Sequence, residues 1–447
     1  MSYSAKGNRP AEWASKSSHH HIIKDEAVQE ILERLWMPDA DPGPGLAERI
    51  HEHDPVNDSR IQHVIAVDGG YTETVVRKEY PSSTIHFFQF GAVLIKLDDL
   101  EHIARSPFIS PEDMARLKNI ERLKLPLPTR GLRLNDEESL CDTVRRLVHE
   151  FFLKETLGEQ HNLLDTLAWF VFRRYKGGIR TADEAEWVLS SHPVNGVDGA
   201  VVLHESEMSP DGTFNKDGHI LYLTDIFRLH EIIDEESGAA GICSFLAGVI
   251  EHLILVHIIR HLLAQRPSVL GGTLFLIDRP TGFFGQTARL HIAMFDLVRW
   301  LFQEHELYLA GLEKSGAFVD HAAQIGEKMG KGTYLILDDQ YIYRYISPGK
   351  EDPNRPYASS SYYGHKVIFK NRYGQMHVVS VPVPELKKFP AKVDLPNLDE
   401  ILTHVESLRC NMYDSALLPI ALANKLVSLA AHPSTKILQQ FARDSVA

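Results

Sequence analysis

The sequence predicts an α/β fold built on a mixed sheet, and three observations carry that prediction. Strand-like runs crowd the early part of the chain, with IQHVIAVDGGYTETVVRKEY (61–80) closely followed by STIHFFQFGAVLIKL (83–97). Later strand-like runs such as LFLI and YLAGLE are separated by segments of helical spacing, and the chain closes on a helical tail after Leu395. Strands that alternate with amphipathic helices form a sheet covered by those helices.

Residues 1–60 form a polar N-terminal arm. It carries the run His19-His20-His21, one short amphipathic helix in AVQEILERLWM (27–37), and a proline- and glycine-rich linker, PDADPGPG (38–45). From Ile61 the pattern reads as strand, tight turn at Asp68-Gly69-Gly70, then strand, because Asp-Gly between two β-branched runs is a strong hairpin signal. The run 83–97 completes an antiparallel meander.

Residues from about 100 to 235 read as a mainly helical insertion. PEDMARLKNIERL (111–123), DEESLCDTVRRLVHEFFLKETL (136–157) and HNLLDTLAWFVFRRY (161–175) have helical spacing, and strand signals return at 199–223 around Pro210-Asp211-Gly212. Next comes the most apolar stretch, GICSFLAGVIEHLILVHIIRHLL (241–263). It is long enough to span a bilayer. It also contains Glu251, His252, His257, Arg260 and His261, and a charge at the bilayer centre costs roughly 3 kcal/mol. A buried helix of a soluble protein is therefore expected. Thr273–Ile277 is a short buried strand ending at Asp278, residues 287–308 form a helix, and YLAGLEKSG (308–316) is a strand leading into a loop. YLILDDQYIYRYI (334–346) and HKVIFKNRYGQMHVVSVPVP (365–384) supply further strands.

Composition excludes several classes. The 447 residues, 44% hydrophobic and 24% charged, suffice for a large core, so disorder of the whole chain is excluded. A net charge of −13 argues against a surface that is one electrostatic glove for nucleic acid, while leaving room for a local acidic metal site. The three cysteines, Cys141, Cys243 and Cys410, lie far apart with no CxxC, which argues against a zinc knuckle or a disulfide framework. A reducing, cytoplasmic setting fits, and no secretory signal opens the chain. GxxxxGK[ST], GxSxG and GxGxxG are all absent. His257 and His261 share a helix face, but HIIRH lacks the glutamate of a zincin, and His19–His21 read as a solvated cluster.

Four residues could carry chemistry. Asp68 follows a β-branched run and precedes two glycines that admit a ligand closely; its plain alternative is a hairpin turn. Asp278 ends the apolar LFLI, with a turn or cap before Pro280 as the alternative. Glu251 lies in a helix that is apolar nearly all round. A carboxylate taken out of water must be protonated, paired or metal-bound, and Arg260 and Arg289 are candidate partners. Lys314, at the end of another apolar strand, could hold a phosphate or position a water, or could be a solvated loop lysine. Three such carboxylates suggest a divalent-metal site of oxygen ligands. Two ions about 4 Å apart can activate a water and stabilise the leaving oxygen of a phosphodiester. Asp338 and Asp339 read as a turn before QYIYRYI.

The order of these motifs resembles the NurA nuclease family, the partner of the HerA hexameric DNA translocase. AVDGGY (66–71) is similar to the family's first strand-plus-aspartate motif, Glu251 to its helix acid, and LFLIDRP (274–280) to its second aspartate motif. YLAGLEKSG (308–316) resembles the strand ending in a lysine, HVVSVPVP (377–384) the late strand ending in proline, and LLPIALANKL (417–426) the opening of the C-terminal helix. The resemblance covers roughly residues 60–430. It implies an RNase H-like mixed-sheet nuclease core over 61–447, with the helical insertion at about 100–235 and the C-terminal helical tail. It also implies a Mn²⁺- or Mg²⁺-dependent DNA nuclease, with two ions, and a homodimer that receives DNA from a HerA-like hexameric ATPase in end processing, repair or defence against invading DNA.

Carried over by position, Asp68, Glu251 and Asp278 would be metal ligands and catalytic residues. Lys314 would be an auxiliary catalytic contact that also meets DNA. Three departures accompany the resemblance. Arg279 stands where the family usually has glycine, and it could clamp a DNA phosphate or block a backbone approach. Asn424 stands where the family usually has histidine, with His432 eight residues later. The insertion is longer than expected and could be a docking surface. The alternatives are a catalytically degenerate NurA-like adaptor that only docks the translocase, and an RNase H-like enzyme acting on RNA or hybrids, a choice that rests on 2′-OH contacts.

Overall fold

The computed structural model describes residues 16–35, 44–77, 82–98, 118–119, 122–136, 138–157, 160–194, 198–410, 416–429 and 434–446. The strands are β1 Ile50–Glu52, β2 His63–Val75, β3 Thr84–Lys96, β4 Lys118–Asn119, β5 Leu123–Arg130, β6 Glu186–Ser191, β7 Asp198–His204, β8 Thr213–Lys216, β9 His219–Tyr222, β10 Thr273–Ile277, β11 Tyr308–Glu313, β12 Thr333–Ile336, β13 Gly364–Lys370 and β14 Met376–Pro382. The α-helices are α1 Lys16–Ile23, α2 Glu26–Arg34, α3 Leu140–Lys154, α4 Leu163–Val171, α5 Cys243–Gln265, α6 Pro267–Leu270, α7 Leu290–Glu304, α8 Ala317–Ile325, α9 Asp339–Tyr341, α10 Leu398–Ser407, α11 Leu418–Val427 and α12 Ser434–Ser445.

Ten strands form one mixed sheet in the order β1-β12-β13-β14-β11-β10-β2-β3-β4, with β5 also on β3. The central β10 runs parallel to both neighbours, β2 and β11, and the remaining ladders are antiparallel. β6–β7 and β8–β9 are separate hairpins. A central strand covered on both faces should be apolar at every position, and β10, TLFLI, is buried throughout. Side chains of β2 alternate across the sheet. Ile65 and Val67 enter the core made with α3, α4, α5 and α7, whereas Val64 and Ala66 enter the core made with α10 and α11.

The protein is thus α/β with a large mixed sheet, as its patterning predicts. The bilayer-length stretch is α5, and 78% of its most apolar window is packed inside the protein. Its apolar character all round follows from having core on every side.

Several local readings change. Asp68-Gly69-Gly70 is not a hairpin turn. β2 runs through it, and its ladder with β3 is unbroken from His63↔Lys96 to Val75↔Thr84. The glycines serve close packing instead: a Cβ on Gly69 would lie 2.5 Å from the Phe90 ring, and one on Gly70 would lie 3.0 Å from the Val427 carbonyl oxygen. YLILDDQYIYRYI is a strand only as far as Ile336. Asp338 then caps a helical segment by accepting the Tyr341 N–H at 2.7 Å and pairing with Arg49. That cap turns Tyr341, Ile342 and Ile346 into a third core cluster, overriding their strand propensity. The 100–235 region carries α3 and α4 but also β5 and both separate hairpins. Of PEDMARLKNIERL most lies outside the described residues, and Lys118–Asn119 pairs with β3. The linker 38–45 lies largely outside them as well. Within the arm, α2 covers Glu26–Arg34, and β1 joins the sheet beside β12.

Candidate active site

The site sits where β10 and β11 end, beside the middle of the longer β2. Val67 on β2 pairs with Ile277 on β10, and Ile277 pairs with Gly311 on β11. Asp68 and Asp278 are the next residues along their strands. Strand alternation places both on the face of Val64, Ala66, Leu274 and Leu276, towards α10 and α11. The segment after Asp278 crosses tightly over β11: a Cβ on Gly311 would lie 2.3 Å from the Arg279 carbonyl oxygen, and Thr281 N–H donates to Ser380 Oγ at 2.8 Å. These contacts fix the height of Asp278 above the sheet.

Asp68 is 5% exposed. Its Oδ1 accepts the Gly69 N–H at 2.8 Å, and its Oδ2 is buried with no hydrogen-bond partner among the described residues. Burial, followed by the negative charge of Asp278, pushes its carboxyl up to about 6, against the pull of Gly69 N–H, Lys314 and Asn424. Asn424, on α11, faces this carboxylate from above the sheet. Asp278 repeats the arrangement. Its Oδ2 accepts from Lys314 Nζ at 2.5 Å, and its Oδ1 is buried without a partner among the described residues.

Glu251 reaches the same rim from α5, on the other side. It is 1% exposed, and its carboxylate is forked by Arg279: Nη2 donates to Oε1 at 3.0 Å and Nε donates to Oε2. Burial raises its carboxyl, and Arg279 is the largest opposing influence. Two glycines make the fork possible. A Cβ on Gly69 would lie 2.9 Å from Glu251 Oε1, and a Cβ on Gly248 would lie 3.2 Å from Arg279 Nη1. A glycine inside a helix costs about 1 kcal/mol relative to alanine, and here it gives the guanidinium its bed.

Lys314 follows Glu313, which pairs with the buried Lys366. That ammonium also lies 4.3 Å from the Phe318 ring centroid and 4.4 Å from that of Tyr362, so the end of β11 is held from both sides.

The structure therefore brings Asp68, Glu251, Asp278, Arg279, Lys314 and Asn424 to one place. Two orphaned carboxylate oxygens on a shared face suit a hard divalent ion such as Mg²⁺ or Mn²⁺, which one or two carboxylates plus water and phosphate can hold. Among the described residues no three acidic, histidine or cysteine side chains converge on one point, because Glu251 is turned onto Arg279.

Sequence reasoning missed the identity of Glu251's partner. Arg260 instead donates to Thr166 Oγ1 at 3.1 Å, and Arg289 lies over Trp187. The available signal was alternation, since the residue after Asp278 must point to the opposite face, where α5 lies. Gly248 and the Glu313–Lys366 pair were also missed, and neither has a sequence signature. Asp339 accepts the Tyr357 N–H and so is structural, His257 Nδ1 meets Thr166 Oγ1 at 2.8 Å, and His432 lies outside the described residues.

No protein-family model and no curated protein matches the sequence. Among solved structures, the chain is similar to the NurA nuclease from Sulfolobus solfataricus, with 10% identity and a TM-score of 0.36 over 96% of this chain and 97% of that one. It is similar to a NurA with manganese, with 12% identity and a TM-score of 0.30 over 97% and 99% of the two chains. It is also similar to a NurA bound to dAMP and manganese, with 13% identity and a TM-score of 0.30 over the same shares. Each of these three NurA structures is matched over nearly the full length of both chains.

Proposed function

We propose that this chain is a divalent-metal-dependent deoxyribonuclease that hydrolyses phosphodiester bonds at the rim formed by β2, β10 and β11. The observation that carries the reading is the pair of buried, unpartnered oxygens, Asp68 Oδ2 and Asp278 Oδ1, with the Lys314 ammonium beside them. A carboxylate oxygen left without a donor away from water is costly, so a site that keeps two of them is built for a cation. The motif order along the sequence supports DNA as the substrate.

Asp68 and Asp278 would hold Mn²⁺ or Mg²⁺. Such an ion, when bound, lowers the pKa of a water and neutralises charge that develops on the phosphate. Lys314 bridges Asp278 and the open rim, so it can pass its ammonium to an incoming phosphate oxygen. Arg279, with Nε and Nη2 on Glu251 and Nη1 against Gly248, would give the incoming DNA phosphate a fixed positive charge beside the rim. Asn424 orients the Asp68 carboxylate; its amide cannot act as a general acid.

With a net charge of −13 the chain attracts DNA poorly on its own, and such binding weakens steeply with salt. A HerA-like hexameric ATPase that feeds DNA to a homodimer would remove that need, with the 100–235 region as a docking surface and the cytoplasm as the setting. End processing, repair and defence against invading DNA are all compatible with that partnership.

Cleavage of end-labelled linear DNA by the purified chain, in Mn²⁺, Mg²⁺ or EDTA and with or without a HerA-like ATPase, tests the reading. Metal-dependent cutting that disappears in Asp68→Ala and Asp278→Ala is expected, with a large gain from the ATPase. Full-speed cutting in EDTA would overturn it. The Glu251–Arg279 fork and Asn424 favour a second reading, a non-catalytic adaptor that docks the translocase. Silence of the folded chain with the ATPase bound would select it.

A further inference from the structure

We infer that the site takes a single divalent cation, held by Asp68 and Asp278, and that Arg279 serves as the fixed second positive charge by occupying Glu251. The inference rests on the metal-dependent reading above and replaces the two ions implied by resemblance with one ion and a guanidinium.

The two sides of the rim differ in how their carboxylates are satisfied. Asp68 and Asp278 each keep one buried oxygen without a partner. Glu251 keeps none, since both of its oxygens accept from Arg279. A planar guanidinium matches a carboxylate edge to edge, and that fork closes the acceptor directions a second metal would use. The fork is also built in. Gly248 lies under the guanidinium, Gly69 leaves room for the Glu251 carboxylate, and the Arg279 main chain is pinned over Gly311.

Charge agrees with geometry. Three carboxylates, one guanidinium and one ammonium leave the site with one net negative charge. One divalent ion reverses it to one net positive charge, enough to attract a phosphate. A second would raise it to three, with the arginine and lysine crowded beside both ions.

The test counts ions on the full chain. Isothermal titration with Mn²⁺ and anomalous scattering from Mn²⁺-soaked crystals should each find one ion per chain, between Asp68 and Asp278. Arg279→Ala should admit a second ion at Glu251. The double variant Arg279→Ala/Glu251→Gln removes both members of the buried pair, so it avoids an unpaired charge and should return to one ion. Glu251→Gln alone should keep one ion, while Asp68→Asn should weaken it by about tenfold or more. Two ions in the unaltered chain, or one in the Arg279→Ala variant with Glu251 free, would overturn the inference and leave the nuclease reading standing. No ion in any of these proteins would overturn both.

Discussion

Two halves of one rim carry the same residue types and treat them oppositely. On the α11 side of the sheet, Asp68 and Asp278 share one face and carry an orphaned oxygen apiece. On the α5 side, Glu251 is more deeply buried yet fully satisfied by Arg279. Burial alone therefore does not mark function. Two unpartnered carboxylate oxygens on one face are the stronger sign, because each is costly to the fold and a cation would satisfy both. The α5 side is closed by its own ion pair, and the α11 side keeps two carboxylate oxygens unpaired.

The largest effect expected from breaking this contrast comes from Arg279→Ala. It strands a buried carboxylate and should destabilise the metal-free protein by about 3–5 kcal/mol, the usual penalty for removing one member of a buried pair. Urea unfolding in EDTA measures it, and a loss below about 1 kcal/mol would mean that water already serves Glu251. Mn²⁺ gives the next effect, from the open side. At a hundred times its dissociation constant it should stabilise the chain by about 2.7 kcal/mol, and Asp278→Asn should abolish most of that gain in a thermal melt.

Gly69→Ala probes the seam between the halves. Its Cβ would meet both the Phe90 ring at 2.5 Å and Glu251 Oε1 at 2.9 Å, so overpacking of about 1–3 kcal/mol is expected. Gly178→Ala, with nothing within 4 Å, is the control and should be near neutral. A neutral Gly69→Ala would mean that the Glu251 side chain has room to leave the rim.

Much of this site was legible because chemistry at strand ends leaves a pattern. An apolar run stopping at Asp68, another at Asp278 and a third before Lys314 identify three strands that can lie side by side, and the structure pairs them in register, with β2 continuing past Asp68 where β10 and β11 end. The failures share one physical cause, which is that tertiary contacts set the meaning of a local signal. Asp68-Gly69-Gly70 has the composition of a turn, yet its glycines exist for Phe90, Glu251 and Val427, residues far away in sequence. QYIYRYI has the composition of a strand, yet the Asp338 cap and the third core cluster hold it helical. Glu251's partner lies neither on its own helix nor at Arg289: the arginine next to Asp278 alternates onto the α5 face. A sequence shows which residue types meet. Which of them are satisfied depends on side-chain direction, and that needs the register.

The last effect is the most discriminating, because its sign depends on pH and on metal. The Asp68 carboxyl is raised to about 6 from 3.8, so in the metal-free protein its contribution to stability is fully present below about 3.8 and is lost as pH rises through 6. Buried His252, His257 and His365 run the other way. Each is lowered to about 4 from 6.5, so their contribution holds above 6.5 and disappears as pH falls towards 4. The wild-type curve mixes the two, whereas the difference between wild type and Asp68→Asn isolates the aspartate. In EDTA, Asp68→Asn should be more stable than wild type above pH 6, by up to about 3 kcal/mol, and the advantage should vanish by about pH 4. Saturating Mn²⁺ should reverse the order, since only the wild type gains from the ion. Paired urea titrations at pH 4.5 and 7.5, with EDTA and with Mn²⁺, read all four values. An Asp68→Asn variant that is less stable in EDTA at pH 7.5 would mean that this oxygen is satisfied within the fold, and the contrast between the two halves of the rim would collapse.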